Sequence, residues 1–139
     1  MGQQQLLLLV LGIVIVGLAV VVGIQAFGEN QKKANSDALV NDAIRIASDA
    51  QAWNLKPTAF GGGDGEFTGI TLAKLGYEVS SGTYGNLNGD YVICGTPAAA
   101  SLIISGTSTG NDNGVKVTIT GTGPDDISTV VSDESGAAC

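Results

Sequence analysis

Histidine is absent from the sequence and positive charge is scarce, with six Lys and Arg against thirteen Asp and Glu and a formal net charge of -7. The lack of histidine removes the commonest general base, the commonest metal ligand and any c-type haem attachment motif. The acidic balance argues against a nucleic-acid partner, which needs Lys and Arg to replace condensed counterions. Aromatic residues make up 5% of the chain, and Tyr77, Tyr84, Tyr91 and the phenylalanines are too sparse to indicate an aromatic relay. No proline precedes Pro57, and no Asn-x-Ser/Thr acceptor for N-linked sugar occurs. Most telling, no charged side chain occurs before Glu29.

The charge-free stretch holds a long apolar run. Leu6 to Ile24 is uninterrupted if glycines are counted, nineteen residues in all, which is enough to cross a bilayer core as a helix. It is apolar on every face, so lipid or other apolar helices must surround it. A secretory signal peptide has a basic leading region and a shorter apolar core; this run is too long and is preceded by Gln3, Gln4 and Gln5, so it reads as a retained segment. Gly12, Gly17 and Gly23 interrupt it at spacings of five and six. That places them on several faces, unlike the one-faced G-x-x-x-G dimer motif. They suit a helix with several close neighbours, or one that can unwind locally.

Beyond Glu29 the helical pattern continues with a change of character. Leu39, Ala43, Ile46, Ala50 and Trp53 recur at steps of four and three, widened by Val40, Ile44 and Ala47. Asn35, Asp42, Arg45, Asp49 and Asn54 occupy the other face. Pro57 marks the expected helix end. The reading is one helix of about 54 residues, roughly 80 Å long, apolar all round in residues 1–28 and amphipathic over 29–56. Phe60 to Glu66 reads as a flexible connector, since a phosphate cradle would need a Lys and a following helix.

Residues 57–139 form a Gly/Thr-rich β domain in this reading. Candidate strands are Tyr77–Val79, Asp90–Cys94, Leu102–Ser105, Val115–Thr120 and Ile127–Ser132, with the Asn113-Gly114 step as a hairpin turn signal. The expected fold class is α+β, a long N-terminal helix packed on a small antiparallel sheet. The stripe ending in Trp53 supplies the sheet's cover. Two cysteines, Cys94 and Cys139, accompany the membrane-active segment. An even count there suggests an exported domain with one disulfide; two unpaired thiols, or an intermolecular link through Cys139, stay open.

Other polar clusters fit structural roles. Asn86 to Asp90 alternates oxygen ligands as calcium loops do, but lacks the closing bidentate carboxylate and reads as a turn. Asp125-Asp126 after Pro124 reads as a solvated turn or helix cap. Ser105 to Thr109 reads as an exposed, hydroxyl-rich strand edge. No catalytic constellation, metal site or cofactor is expected.

The order of features resembles a mature type IV pilin or a close pilin-like relative, most specifically over Met1 to Trp53. The resemblance implies removal of a short leader, methylation of a new N-terminus at Met1, storage in the inner membrane and packing of the apolar half-helices into the core of an extracellular filament. Partners implied are identical subunits in a helical homo-oligomer and the pilus assembly machinery. The Cys94–Cys139 bridge would correspond to the disulfide that closes the C-terminal region of many bacterial pilins. The family usually carries glutamate at the fifth residue, where Gln5 stands here. A glutamine amide can accept a hydrogen bond from a neighbour's N-terminal ammonium without neutralising it, and need not be desolvated as an ion. Cleavage after Gly2 would instead make Leu7 the fifth residue. The family's helix proline is absent, so any unwinding would centre on Gly12, Gly17 or Gly23. The leading expectation is thus a structural filament subunit for adhesion, motility or surface contact. The alternatives are a pseudopilin of a secretion machine and a membrane-anchored binding domain that does not polymerise.

Overall fold

The computed structural model describes residues 2–139, so the expected processed N-terminus at Met1 lies outside the described residues. Helix α1 runs unbroken from Gly2 to Leu55. It stops where Pro57 restricts Lys56 against helical backbone angles. By internal contacts the chain forms two compact units, one up to Lys33 and one spanning Ala34–Cys139. The first contains only the N-terminal part of α1.

In the second unit five strands follow α1: β1 (Tyr84–Gly85), β2 (Asp90–Ile93), β3 (Leu102–Thr107), β4 (Gly114–Ile119) and β5 (Ile127–Ser132), with a short helix α2 (Glu134–Ala137) closing the chain. They make one antiparallel sheet in sequential order. This is the expected α+β arrangement, with α1 from Ala34 onward as cover. Alternation along the strands sends Tyr91, Leu102, Ile104, Val115, Val117 and Ile119 to one face, where all are buried. They form one apolar cluster with Leu39, Ala43, Ile46, Ala47, Ala50 and Trp53 of α1. The stripe therefore packs as the periodicity predicts, and its alanines let the helix backbone lie close to the sheet.

Several local expectations are corrected. Tyr77–Val79 is not a strand; the first pairing is Tyr84↔Tyr91 and Gly85↔Asp90, with an isolated bridge at Ser80↔Thr83. Tyr77 is instead fixed by its hydroxyl, which donates to Asp49. The expected β3–β4 hairpin forms, with six residues between Thr107 and its partner Gly114. Gly110 and Asp112 take the positive φ angles there. Gly114 instead opens β4, where a Cβ would stand 2.3 Å from Ala137 Cβ.

The Phe60–Glu66 connector is hydrogen-bonded back to the end of α1. Its amides meet carbonyls at and just past the end of α1: Gly63 N–H donates to Trp53 O at 3.0 Å, Asp64 N–H to Lys56 O at 3.0 Å and Gly65 N–H to Asn54 O at 2.7 Å. Ser105 and Ser108 are buried in or beside a central strand, not on an exposed edge. Ser105 Oγ donates to Ala137 O at 2.5 Å, and Lys116 Nζ to Ala138 O at 3.0 Å. The C-terminal tail thus covers the sheet face opposite α1. Cys94 and Cys139 are joined by a disulfide across 45 residues, which leaves no free thiol.

Candidate functional site

Two features of α1 stand out once its packing is known. The first is the apolar segment. Its large apolar residues from Leu6 to Phe27 are each 50–75% exposed, and the best window of the helix has a mean hydropathy of 3.2. By length and composition this helix can cross a membrane. Leaving a Leu, Ile or Val in water instead of burying it costs about 1.5–3 kcal/mol each. No internal contact removes that cost, so the surface calls for an apolar environment. Gln5 lies in the first turns of this segment and is exposed. The helix passes through Gly12, Gly17 and Gly23 without a break, and the space around each Cβ position is open. A close neighbour could therefore approach the backbone at any of the three.

The second feature is the polar flank of the amphipathic part. Asn35, Asp42 and Asp49 recur every seven residues, so they share a face of α1 beside the apolar stripe. They are not simply solvated. Asp42 Oδ2 accepts three hydrogen bonds, from Asn86 Nδ2 at 2.9 Å, Asn88 Nδ2 at 2.7 Å and the Tyr91 hydroxyl at 3.0 Å. Asn35 Nδ2 donates to Asn88 O at 3.0 Å and its Oδ1 accepts from Asn113 Nδ2 at 3.2 Å. Further along the helix, Gln51 Nε2 reaches both Gly121 O and Gly123 O, at 3.0 and 3.1 Å. The helix is thus fastened by polar contacts at its borders as well as by its apolar stripe.

Burial raises the Asp42 carboxyl, but the bonds from Asn88, Asn86 and Tyr91, helped by the Arg45 charge, outweigh it and hold the group below its ordinary value. The Tyr91 phenol is pushed well above its usual range by burial, then by its bond to Asp42. Tyr77 is raised in the same way, by burial and then by Asp49.

The Asn86–Asp90 segment is the β1–β2 turn. Asn86 Oδ1 accepts from the backbone amides of Asn88 and Gly89 at 2.9 and 3.1 Å, while both asparagine amides donate to Asp42. Its side-chain groups serve the turn and the helix, the arrangement expected of a turn rather than a calcium loop. Asp126 caps the short helical turn at Pro124–Asp126, its Oδ2 accepting from Gly123 N–H at 2.7 Å. Among the described residues no group of three or more His, Cys, Asp or Glu side chains could hold a metal ion.

The three tyrosines, sparse in sequence, lie together in the fold. Tyr77, Tyr84 and Tyr91 form one aromatic row, with ring centroids 4.8 Å apart at the first contact and 5.9 Å at the second. Their spacing of seven in sequence hid this, because the turn between β1 and β2 brings Tyr84 opposite Tyr91. No protein-family model, curated protein or solved structure matches this chain.

Proposed function

We propose that this chain is a structural subunit of an extracellular helical filament of the type IV pilus kind, serving adhesion, motility or surface contact. The observation that carries the reading is the all-round apolar exposure of Leu6 to Phe27 on a helix whose later residues cover a disulfide-closed domain. Such a segment can leave lipid for a bundle of identical segments without meeting water, so membrane storage and filament assembly have similar solvation. The inner membrane before assembly and the cell surface after it are the corresponding locations. Identical subunits and an assembly machinery are the corresponding partners. Gln5 would meet a neighbour's N-terminus as a neutral acceptor.

One observation favours a second reading, a membrane-anchored binding domain that does not polymerise. Leu39, Ala43, Ile46, Ala50 and Trp53 are all consumed within their own domain, which leaves that part of the helix no apolar stripe for neighbours. The pseudopilin reading gains nothing from the Asn86–Asp90 turn, whose polar groups are already engaged.

Intact-mass and N-terminal peptide mass spectrometry on filaments sheared from cells separates these readings. The filament reading expects the chain in the sheared fraction, its first residue methylated and its mass two hydrogens short for the disulfide. An unmodified chain confined to the membrane fraction, and monomeric in detergent, would overturn it in favour of the anchored domain.

A further inference from the structure

The three tyrosines of the chain do more than fill space. Tyr91 is fully buried, while Tyr84 and Tyr77 are partly exposed, so the row leads from the surface into the core. Each end of the row is met by a carboxylate from α1: the Tyr77 hydroxyl donates to Asp49, and the Tyr91 hydroxyl donates to Asp42 at 3.0 Å. Asp42 and Asp49 are two helical turns apart, which spaces two acceptors along one row of rings. Arg45 lies between them in sequence and borders the same cleft as Asp42, Tyr77 and Tyr84.

A phenol gives up an electron readily only if its proton leaves in the same event, because the oxidised phenol is a strong acid. A base already within hydrogen-bond reach takes that proton without rearrangement. We propose that the Tyr77–Tyr84–Tyr91 row is a site of proton-coupled one-electron oxidation, with Asp49 and Asp42 as the proton acceptors and an outer-sphere one-electron metal oxidant as the electron acceptor.

In the first step an electron leaves Tyr77 for the oxidant, which is reduced by one. The phenolic O–H bond breaks and its proton joins Asp49, leaving a neutral phenoxyl radical and a carboxylic acid. In the second step an electron passes from Tyr91 through the Tyr84 ring to Tyr77. The Tyr91 proton moves to Asp42, and Tyr77 recovers its own from Asp49. The radical then sits on the buried ring, away from solvent. Burial and the carboxylate bonds keep both phenols protonated, and Asp42 Oδ2 already accepts the Tyr91 hydroxyl at 3.0 Å. The inference stands apart from filament assembly, since every group belongs to one domain of one chain.

The test uses the full chain in detergent micelles with a photogenerated ruthenium(III) polypyridyl oxidant, following the phenoxyl absorbance and its electron spin resonance. The expected result is prompt phenoxyl formation that slows in heavy water and survives added ascorbate, which cannot reach Tyr91. Tyr84→Leu, which removes the bridging ring, should still form the radical but lose it promptly to ascorbate, because it stays on Tyr77. Asp42→Asn with Asp49→Asn should lose the prompt radical, in protein shown folded by circular dichroism. Formation in the unaltered chain with no solvent isotope effect, or its prompt quenching by ascorbate, would overturn the proposal without reliance on any variant's folding. An indolyl radical in place of phenoxyl would do the same.

Discussion

At the scale of single residues, Asp42 ties most of the polar fastening together. Its folded carboxyl titrates below the ordinary value near 3.8, so the unfolded chain binds more protons at low pH than the folded one. Its stabilisation is present above that ordinary value and is lost as pH falls through the folded one. Tyr91 has the opposite sense. Its phenol is raised in the folded state, so its contribution is full below about pH 10 and declines as pH rises beyond, where the unfolded chain releases the proton first. Urea midpoints measured from pH 2 to 6 should fall more gently with acid in Asp42→Asn than in the unaltered chain. Those above pH 10 should fall more gently in Tyr91→Phe. At neutral pH Asp42→Asn should cost about 1–3 kcal/mol, since it weakens three bonds to a charged acceptor. An unchanged acid limb would show that Asp42 titrates alike in both states.

Gly63 shows a residue-scale requirement of another kind. A Cβ there would stand 2.0 Å from Glu66 O and 2.6 Å from Trp53 Cζ3, so Gly63→Ala must displace either the connector or the indole. Overpacking of this kind costs about 1–3 kcal/mol, and the lost cap on Trp53 O adds to it. Trp53 fluorescence should shift to longer wavelength as its ring gains water. A variant with unaltered emission and midpoint would mean that the connector gives way freely.

At the scale of elements, what could be read in advance follows the range of the forces involved. The stripe Leu39, Ala43, Ile46, Ala50 and Trp53 repeats at the helical period, and all five residues are buried as that period requires. β5 runs from Ile127 to Ser132 as its β-branched run indicates. The failures share one cause, which is that distant chain supplies the environment. Ser105 looks like a surface hydroxyl until the tail, 32 residues further on, lies over that face. Asp42 looks solvated until asparagines 44 and 46 residues away reach it. Gly114 looks like a turn glycine, but its requirement comes from Ala137 and Asp133.

The tail therefore depends on its disulfide. Closing a loop of this span contributes about 4 kcal/mol in the chain-entropy account. Replacing both Cys94 and Cys139 with Ala should lower stability by that order in urea unfolding. Amides of α2 should lose hydrogen-exchange protection before those of β3 and β4, since α2 is a single turn capped by Asp133, which accepts from Gly136 N–H at 2.8 Å. Uniform loss across the sheet would instead make the tail part of the cooperative core.

At the scale of the whole molecule, one continuous helix carries two incompatible solvent demands. From Leu6 to Phe27 its large apolar side chains face outward and need lipid or neighbours; from Leu39 to Trp53 its apolar side chains are buried in their own domain. The same substitution chemistry should therefore have opposite consequences at the two places. Val16→Asp puts a carboxylate mid-way along the apolar segment, at a cost of about 2.5–3.5 kcal/mol for a spanning helix, while touching nothing in the domain. It should weaken membrane retention and lower the yield in any sheared filament, yet leave the disulfide formed and the urea midpoint unchanged. Ala50→Asp buries an unpaired charge against the sheet, where Ala50 has no exposure. It should unfold the domain and expose the cysteines to thiol reagents, yet leave membrane retention intact. Measuring both properties in both variants gives a crossed result if the helix divides its labour by position. Loss of domain stability in Val16→Asp, or loss of membrane retention in Ala50→Asp, would show instead that the two parts fold and partition as one.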